Sequence, residues 1–154
     1  MKKKMKLIKL LILILLLILI DQIIKFYIEN VNESIEVLSG VLRFTYSQNT
    51  GGAFSICQNS LPSIIVTNVI ILGIIIKFMI TNYEKMDCGT KVCLSLILSG
   101  GISNFIDRIF KGYVVDFIDF SQCINFPIFN LADIYIVVGW IIFIFLTIKY
   151  ALKK

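Results

Sequence analysis

The sequence predicts an all-α membrane protein with four transmembrane helices and a small extracytoplasmic β-hairpin or cradle. Of its 154 residues, 58% are hydrophobic, and the mean hydropathy is +0.90. Soluble domains usually contain roughly 45–50% apolar residues. The apolar residues form four long runs, and a run of about 20 residues is enough to cross a bilayer. We expect a single integral membrane domain over residues 1–154.

The first apolar run follows a basic segment with five lysines in residues 1–9. Secretory signal peptides share this arrangement, but they end in a small-residue cleavage site. Here the chain continues instead as DQIIKFYIEN, so a retained span over about residues 7–28 is expected. The other three spans are expected at residues 61–80, 92–109 and 131–152, and two polar excursions at residues 29–60 and 110–130.

The first excursion contains two short segments rich in strand-forming residues. Ile35–Leu38 and Val41–Tyr46 are separated by Ser39-Gly40, a pattern that predicts a β-hairpin. A tight turn is expected over residues 49–52. A short amphipathic helix lying on the membrane is expected over Ala53–Asn59.

The orientation follows from the distribution of charge. The N-terminus, residues 77–91 and the C-terminus carry eleven of the 15 basic residues, which predicts that both termini are cytoplasmic. Eight of the ten acidic residues lie in or beside the two excursions, so they converge on the extracytoplasmic face. The net charge of +5 does not indicate nucleic-acid binding, because the lysines flank apolar runs where they would meet anionic lipid headgroups.

Several kinds of site are excluded by composition. The sequence has no histidine, which rules out histidine-based triads and histidine metal sites. Its four cysteines lack zinc-site or redox spacing. We expect buried, inert thiols at Cys57, Cys88, Cys93 and Cys123.

Polar residues are concentrated between residues 100 and 133, in a chain that is otherwise apolar. Polar groups are costly in lipid, so such a cluster is a functional hypothesis by default. The cluster consists of Asn104, Asp107, Arg108, Asp116, Asp119, Asn130 and Asp133.

Two of these acids, Asp116 and Asp133, are the candidates for acid–base chemistry. Asp116 lies in the apolar segment 114–120, which is expected to be extended, and burial there would raise the pKa of its carboxyl group. Asn130 and Asp133 have the spacing of a helix capping box. Two carboxyl groups that share one proton can activate water and polarise a peptide carbonyl. Because Asp133 lies near a helix N-terminus, we expect the shared proton mainly on Asp116. Asp119 is interpreted as a solvated loop acid.

The remaining polar pairs have both structural and functional interpretations. Asp21 and Lys25 have the i,i+4 spacing of an ion pair, which would anchor the helix or brace a site. Asn104 and Arg108 share a helix face and would either bind substrate or, with Asp107, neutralise charge at a helix end.

Five sequence pieces, taken together, resemble the lipoprotein signal peptidases, the type II signal peptidases of bacterial plasma membranes. Two positions depart from the family pattern: Ser103 stands where the family usually has glycine, and Ile134 stands where a small residue is common. The pieces are DQIIK at 21–25, NTGGAF at 49–54, GGISNFIDR at 100–108, GYVVDF at 112–117 and FNLAD at 129–133.

The resemblance implies a metal-independent aspartic endopeptidase that needs no cofactor. Its substrates would be prolipoproteins, cut before a cysteine that carries a diacylglyceryl group, and its other partners would be membrane lipids. It also implies roles for individual residues: Asp116 and Asp133 as the catalytic dyad; Asn49, Gly51, Asn104, Arg108 and Asn130 as supporting or substrate-binding residues; Asp21 and Lys25 as structural support. Asp107 and Asp119 would be bystanders.

Two other classes of protein also carry acids in membrane helices. An ion- or proton-coupled transporter would place them near the bilayer midplane in both halves of a repeat, and no repeat is visible here. A non-enzymatic scaffold protein would not need several acids and amides at one face.

Overall fold

The computed structural model describes residues 2–31, 33–51 and 61–152, with side chains from residue 7 onward. Within these residues it contains four helices, each long and apolar enough to cross a membrane, as the sequence predicts. It also contains three short strands. In chain order the elements are α1 (Lys2–Val31), β1 (Ile35–Leu38), β2 (Leu42–Asn49), α2 (Leu61–Asn82), α3 (Cys88–Lys111), β3 (Val114–Asp119) and α4 (Leu131–Ala151).

Helix α3 is the centre of the bundle and contacts each of the other three helices. Its side chains Cys93, Leu94, Ile97 and Leu98 form a buried apolar core, to which Ile75 of α2 contributes. The outer surfaces of α1, α2 and α4 instead expose many Leu, Ile and Phe side chains, as expected of helices that face lipid.

Helices α3 and α4 approach closely because glycines lie at their contacts. A Cβ atom at Gly100 would lie 2.2 Å from the Ala132 carbonyl oxygen. One at Gly139 would lie 2.8 Å from the Cys93 carbonyl oxygen. Small residues at helix crossings allow this backbone-to-backbone packing in membranes. The contact places Asn104, one turn after Gly100, beside the start of α4.

Capping residues set the ends of α3. The helix begins four residues before the predicted span because Asp87 caps it, accepting a hydrogen bond from the Thr90 backbone N–H at 3.1 Å. It ends at Gly112, whose φ of 82° is the left-handed conformation that glycine adopts readily. The chain therefore turns directly from α3 into β3.

The three strands form one antiparallel sheet in the order β1-β2-β3. The predicted hairpin is present, and β3 adds to it by pairing Ile118 with Phe44 and Val114 with Asn49. Strand β2 extends to Asn49, the first residue of the predicted turn. The Asn49 side chain accepts a hydrogen bond from the Gly51 backbone N–H at 2.9 Å. Gly52 and the helix predicted over 53–59 lie outside the described residues.

The sheet covers the end of the bundle where α1 ends and α4 begins, which we call the sheet end. Ile28 of α1 packs there with Phe117 and Ile118 of β3. Phe44 of β2 meets the Phe117 ring edge to face, with centroids 5.6 Å apart. Ile134 of α4, one of the two departures from the family pattern, packs against the same cluster.

The cysteines only partly follow the prediction. Cys93 is buried, but Cys88 and Cys123 are exposed, so the expectation of buried thiols is wrong for these two. Cys88 lies in the first turn of α3, and Cys123 lies in the loop after β3. Both are therefore at an end of the helix bundle. Cys57 lies outside the described residues.

Candidate active site

Asp116 and Asp133 line the same cleft, although seventeen positions separate them in the sequence. Asp116 lies in the middle of β3, and Asp133 is the third residue of α4. The cleft has a volume of about 710 Å³ and is walled by β2, β3, the loop before α4, and helices α2, α3 and α4. Apolar side chains of α4 and of the loop before it line one part of the cleft, and polar side chains of β2 and α3 lie beside the two carboxyl groups.

Amide donors hold the Asp116 carboxylate on both sides. Asn49 Nδ2 donates to its Oδ2 at 3.0 Å, and Asn130 Nδ2 donates to its Oδ1 at 2.6 Å. The sheet register explains the first contact: Asn49 pairs with Val114, so Asn49 and Asp116 are diagonal neighbours on one face. Asp116 is only 3% exposed.

Asp133 is held by the predicted capping box. Its backbone N–H donates to Asn130 Oδ1 at 3.0 Å, and its Oδ2 accepts from the Asn130 backbone N–H at 3.1 Å. Its other oxygen, Oδ1, accepts from Asn104 Nδ2 at 2.8 Å. Asn130 therefore contacts both acids and fixes their relative position.

The environment of Asp116 favours its protonated form. Burial is the largest cause, and the negative charge of Asp133 acts in the same direction. Hydrogen bonds from Asn49 and Asn130 oppose them, and the net effect raises the pKa of Asp116 to about 6. This agrees with the raised pKa expected from its apolar sequence neighbours. A carboxyl group with such a pKa can hold a proton close to neutral pH.

A buried lysine lies behind the two acids. Lys25 Nζ contacts Asp21 Oδ2 at 2.8 Å, Asp107 Oδ2 at 2.9 Å and Asn104 Oδ1 at 2.8 Å, and its side chain is fully buried. Because the ammonium group only donates, it engages the Asn104 oxygen and leaves the Asn104 nitrogen to point at Asp133. Lys25 thus orients the amide that holds Asp133.

Asp21 connects this lysine to the start of α4. Its Oδ1 accepts from the Ala132 backbone N–H at 2.9 Å, and its Oδ2 accepts from the Ser103 hydroxyl at 2.6 Å. The pair of Asp21 and Lys25 is therefore a buried brace between three helices rather than an interfacial anchor. Sequence reasoning noted Ser103 only as a departure from the family pattern, whereas the hydroxyl is part of this network.

From the sequence, Asp107 is expected to be a bystander or a neutralising partner of Arg108, and the first of these expectations is wrong. Its side chain is fully buried and pairs with Lys25. It also accepts a hydrogen bond from the Val115 backbone N–H at 3.4 Å, which ties α3 to the strand that carries Asp116. Asp107 is thus a structural residue of the site.

The interpretation of Asp119 as a solvated loop acid is also wrong. It is the last residue of β3, is fully buried, and accepts a hydrogen bond from Arg43 Nε at 2.6 Å. Its Oδ1 accepts from the Ser121 backbone N–H at 2.8 Å. Burial would raise the pKa of Asp119, but the bonds from Ser121 and Arg43 lower it to about 2. Asp119 is therefore ionised and joins β3 to β2.

Arg108 links the end of β2 to α3. One guanidinium nitrogen donates to the Gly51 carbonyl oxygen at 3.0 Å, and the other donates to the Asn104 carbonyl oxygen at 3.4 Å. Its side chain is largely buried and lines the cleft beside the two acids. Gly51 thus takes part in the site through its backbone.

A second polar cluster braces the sheet end, and sequence reasoning missed it. Glu29 at the end of α1 accepts from Lys111 at 2.6 Å and from the Tyr113 hydroxyl at 2.9 Å. The Tyr46 hydroxyl of β2 donates to that of Tyr113 at 3.2 Å. Tyr113 lies in the GYVVDF piece, but Glu29, Tyr46 and Lys111 lie outside the five sequence pieces. Only their spatial convergence shows that they join α1, α3 and β2.

The site as a whole contains the groups that acid–base hydrolysis of a peptide needs. One carboxyl group can hold a proton near neutral pH, a second lies in the same cleft, and three asparagine side chains fix their oxygens. Two such carboxyl groups are typical of aspartic hydrolases. The fold places them at one end of a bundle of membrane-spanning helices.

Comparisons with known proteins agree with this class. A family model described as signal peptidase (SPase) II matches residues 13–149. The chain is 39% identical over 133 residues to the lipoprotein signal peptidase of Streptococcus thermophilus strain CNRZ 1066, covering 84% of this chain and 86% of that protein. It is 43% identical over 118 residues to the lipoprotein signal peptidase of Enterococcus faecalis strain V583, covering 76% and 72% respectively.

A solved structure described as a bacterial membrane enzyme superimposes with a TM-score of 0.87 at 31% sequence identity, covering 95% of this chain and 91% of that one. The chain therefore belongs to the signal peptidase II family. It is a multi-pass membrane protein and an aspartic peptidase.

Proposed function

We propose that this protein removes the signal peptide from diacylglyceryl-modified prolipoproteins by cutting before the lipidated cysteine, with Asp116 and Asp133 as the catalytic dyad. The relatives' description as lipoprotein signal peptidases supports the substrate class. The observation that carries the dyad is Asn130, which bonds to both carboxyl groups and holds them in one cleft.

The mechanism is direct attack by water. Ionised Asp133 takes a proton from the water molecule while the water oxygen bonds to the scissile carbonyl carbon. Protonated Asp116 gives its proton to the carbonyl oxygen. The resulting tetrahedral gem-diol then collapses. Asp133 passes its proton to the leaving amine, and Asp116 recovers a proton from a hydroxyl group of the gem-diol. The C–N bond breaks, both acids return to their starting states, and no acyl-enzyme forms.

The supporting residues act by position. Asn49 and Asn130 direct the Asp116 oxygens, and Asn104 directs an Asp133 oxygen. Arg108 holds the Gly51 carbonyl and so fixes the end of β2 beside the cleft. Because these groups are fixed before substrate arrives, little reorganisation is needed during the reaction.

The apolar part of the cleft suits a substrate that stays in the bilayer. Its walls include Ile64 of α2 and Ile136 and Val137 of α4, and the lipid chains of the substrate would lie against them. The membrane would be the plasma membrane of a bacterium. The distribution of lysines supports cytoplasmic termini and therefore an extracytoplasmic sheet end. Prolipoproteins would present their cleavage site at that face.

The test is cleavage of a purified diacylglyceryl-modified prolipoprotein, with the unlipidated precursor as the substrate control. D116N and D133N should each lower kcat by about 100-fold or more, the size of an acid–base contribution, while the protein stays folded in membranes. E33Q is a matched control, because Glu33 is an exposed acid at the same end of the bundle, and it should leave cleavage unchanged. Normal processing by D116N or D133N would rule out the dyad.

A further inference from the structure

The α2 wall of the cleft carries a polar side chain that the site described above does not use. Asn68 of α2 lines the same cleft as Asp116 and Asp133. It is half-buried, and it has no hydrogen-bond partner among residues 7–31, 33–51 and 61–152. An amide without partners in a membrane-spanning helix is costly, so a ligand that satisfies it is the expected explanation.

Two other polar residues of α2, Thr67 and Asn82, behave differently. The Thr67 hydroxyl donates to the Ser63 carbonyl oxygen at 2.8 Å, and the Asn82 amide donates to the Phe78 carbonyl oxygen at 3.0 Å. Both side chains are thus satisfied within their own helix. The Asn68 amide instead faces the cleft.

Asn68 lies at about the same distance from the sheet end as Asn104, which supports Asp133. Helices α2 and α3 are antiparallel, and Leu72 packs against Gly101, where a Cβ atom would lie 2.8 Å from Leu72 Cδ2. From this contact, Asn68 lies about 6 Å nearer the sheet end along α2, and Asn104 lies about 4.5 Å nearer it along α3, at 1.5 Å per residue. Asn104 bonds directly to Asp133. Asn68 is therefore at about the level of that bond, on the α2 wall.

We propose that Asn68 is a substrate-binding residue whose amide hydrogen-bonds a carbonyl oxygen of the bound substrate. The carbonyl belongs either to the peptide near the scissile bond or to an ester of the diacylglyceryl group, since both would lie beside α2 in the cleft. The inference rests on the proposed function, because it requires a lipidated peptide in the cleft. Asn68 binds the substrate and takes no part in proton transfer.

The experiment measures binding and turnover of a diacylglyceryl-modified prolipoprotein by N68L. The substitution keeps the branched shape and the number of heavy atoms of the side chain and removes the amide. In a D116N background, which holds intact substrate, N68L should raise the Kd about three- to tenfold, the size of one hydrogen bond. With Asp116 present, KM should rise by a similar factor while kcat changes little, because the bond is present in both the ground and the transition state.

T67V is the matched control, because Thr67 is the adjacent residue and its hydroxyl bonds to its own helix. It should leave Kd, KM and kcat unchanged. N68L should melt at the same temperature as the unaltered protein or higher, because it removes an unpartnered amide from a membrane-spanning helix. A lower melting temperature with parallel losses in kcat and affinity would show a structural role and overturn the inference.

A dialkyl-ether analogue of the substrate, which lacks ester carbonyls, identifies the group that is bound. If N68L and the unaltered protein bind the analogue equally, the contact is to the ester; if the difference persists, it is to the peptide. Equal binding of the ester substrate by both proteins overturns the inference. Failure of the unaltered protein to cleave that substrate contradicts the proposed function instead, so the two failures are distinguishable.

Discussion

At the scale of single residues, the site depends on how amide groups are oriented. Lys25 can only donate, so it takes the oxygen of Asn104 and leaves its nitrogen for Asp133. Asn130 uses its backbone N–H for Asp133 and its side-chain nitrogen for Asp116. The two carboxyl groups thereby receive different sets of donors, which allows them to differ in protonation as a water-activating dyad requires.

The raised pKa of Asp116 predicts a pH dependence. Catalysis needs its proton, and in the free enzyme that proton is lost as the pH rises through about 6. We therefore expect kcat/KM to fall with rising pH above about 6, because this parameter reports the free enzyme. The measurement is kcat/KM for the lipidated substrate at pH values from about 5 to about 8.

A variant sharpens this prediction. The hydrogen bond from Asn49 lowers the pKa of Asp116 by stabilising its ionised form. N49A should therefore shift the decline in kcat/KM to higher pH, and E33Q should leave it in place. A flat profile across the range in the unaltered protein would contradict the assignment of the proton to Asp116.

Sequence reasoning identified Asp116, Asp133 and the capping box because their signals are local: apolar neighbours in one case and i,i+3 spacing in the other. It failed for Asp107 and Asp119 because the cations that pair with them, Lys25 and Arg43, are 82 and 76 residues away in the sequence. An acid next to a polar loop looks solvated until the fold buries it.

At the scale of elements, the contact between α3 and α4 sets the position of Asn104 relative to Asp133. The four helices could be predicted because each apolar run is continuous. The pairing of β2 with β3 could not be predicted, since two helices and their connections lie between these strands. It depends on tertiary contacts such as the edge-to-face packing of Phe44 on Phe117.

The helix contact can be tested with two glycine substitutions. G100A should destabilise the protein by about 1–3 kcal/mol, the usual cost of overpacking, because its Cβ atom would lie 2.2 Å from the Ala132 carbonyl oxygen. It should also lower kcat by moving Asn104 away from Asp133. G73A is the control, since a Cβ atom there meets nothing within 4 Å and should stabilise α2 slightly. Melting temperature and cleavage rate are the measurements, and equal behaviour of the two variants would contradict this account.

At the scale of the whole molecule, the proposed function requires the sheet end to be extracytoplasmic. Two exposed cysteines report on this orientation, because Cys88 lies at the end opposite the sheet and Cys123 lies in the loop after β3. Single-cysteine variants would be treated with a membrane-impermeant maleimide in sealed right-side-out and inverted membrane vesicles. Cys123 should be labelled in right-side-out vesicles only, and Cys88 in inverted vesicles only.

The buried Cys93 is the control for membrane integrity and folding, and it should be labelled only after denaturation. The expected pattern follows from the lysines at the end opposite the sheet, which bias those loops towards the cytoplasm. The reverse pattern would place Asp116 and Asp133 at the cytoplasmic face. A translocated prolipoprotein, whose cleavage site has already crossed the membrane, could not reach the acids there. This labelling experiment therefore tests both the orientation and the access of substrate to the dyad.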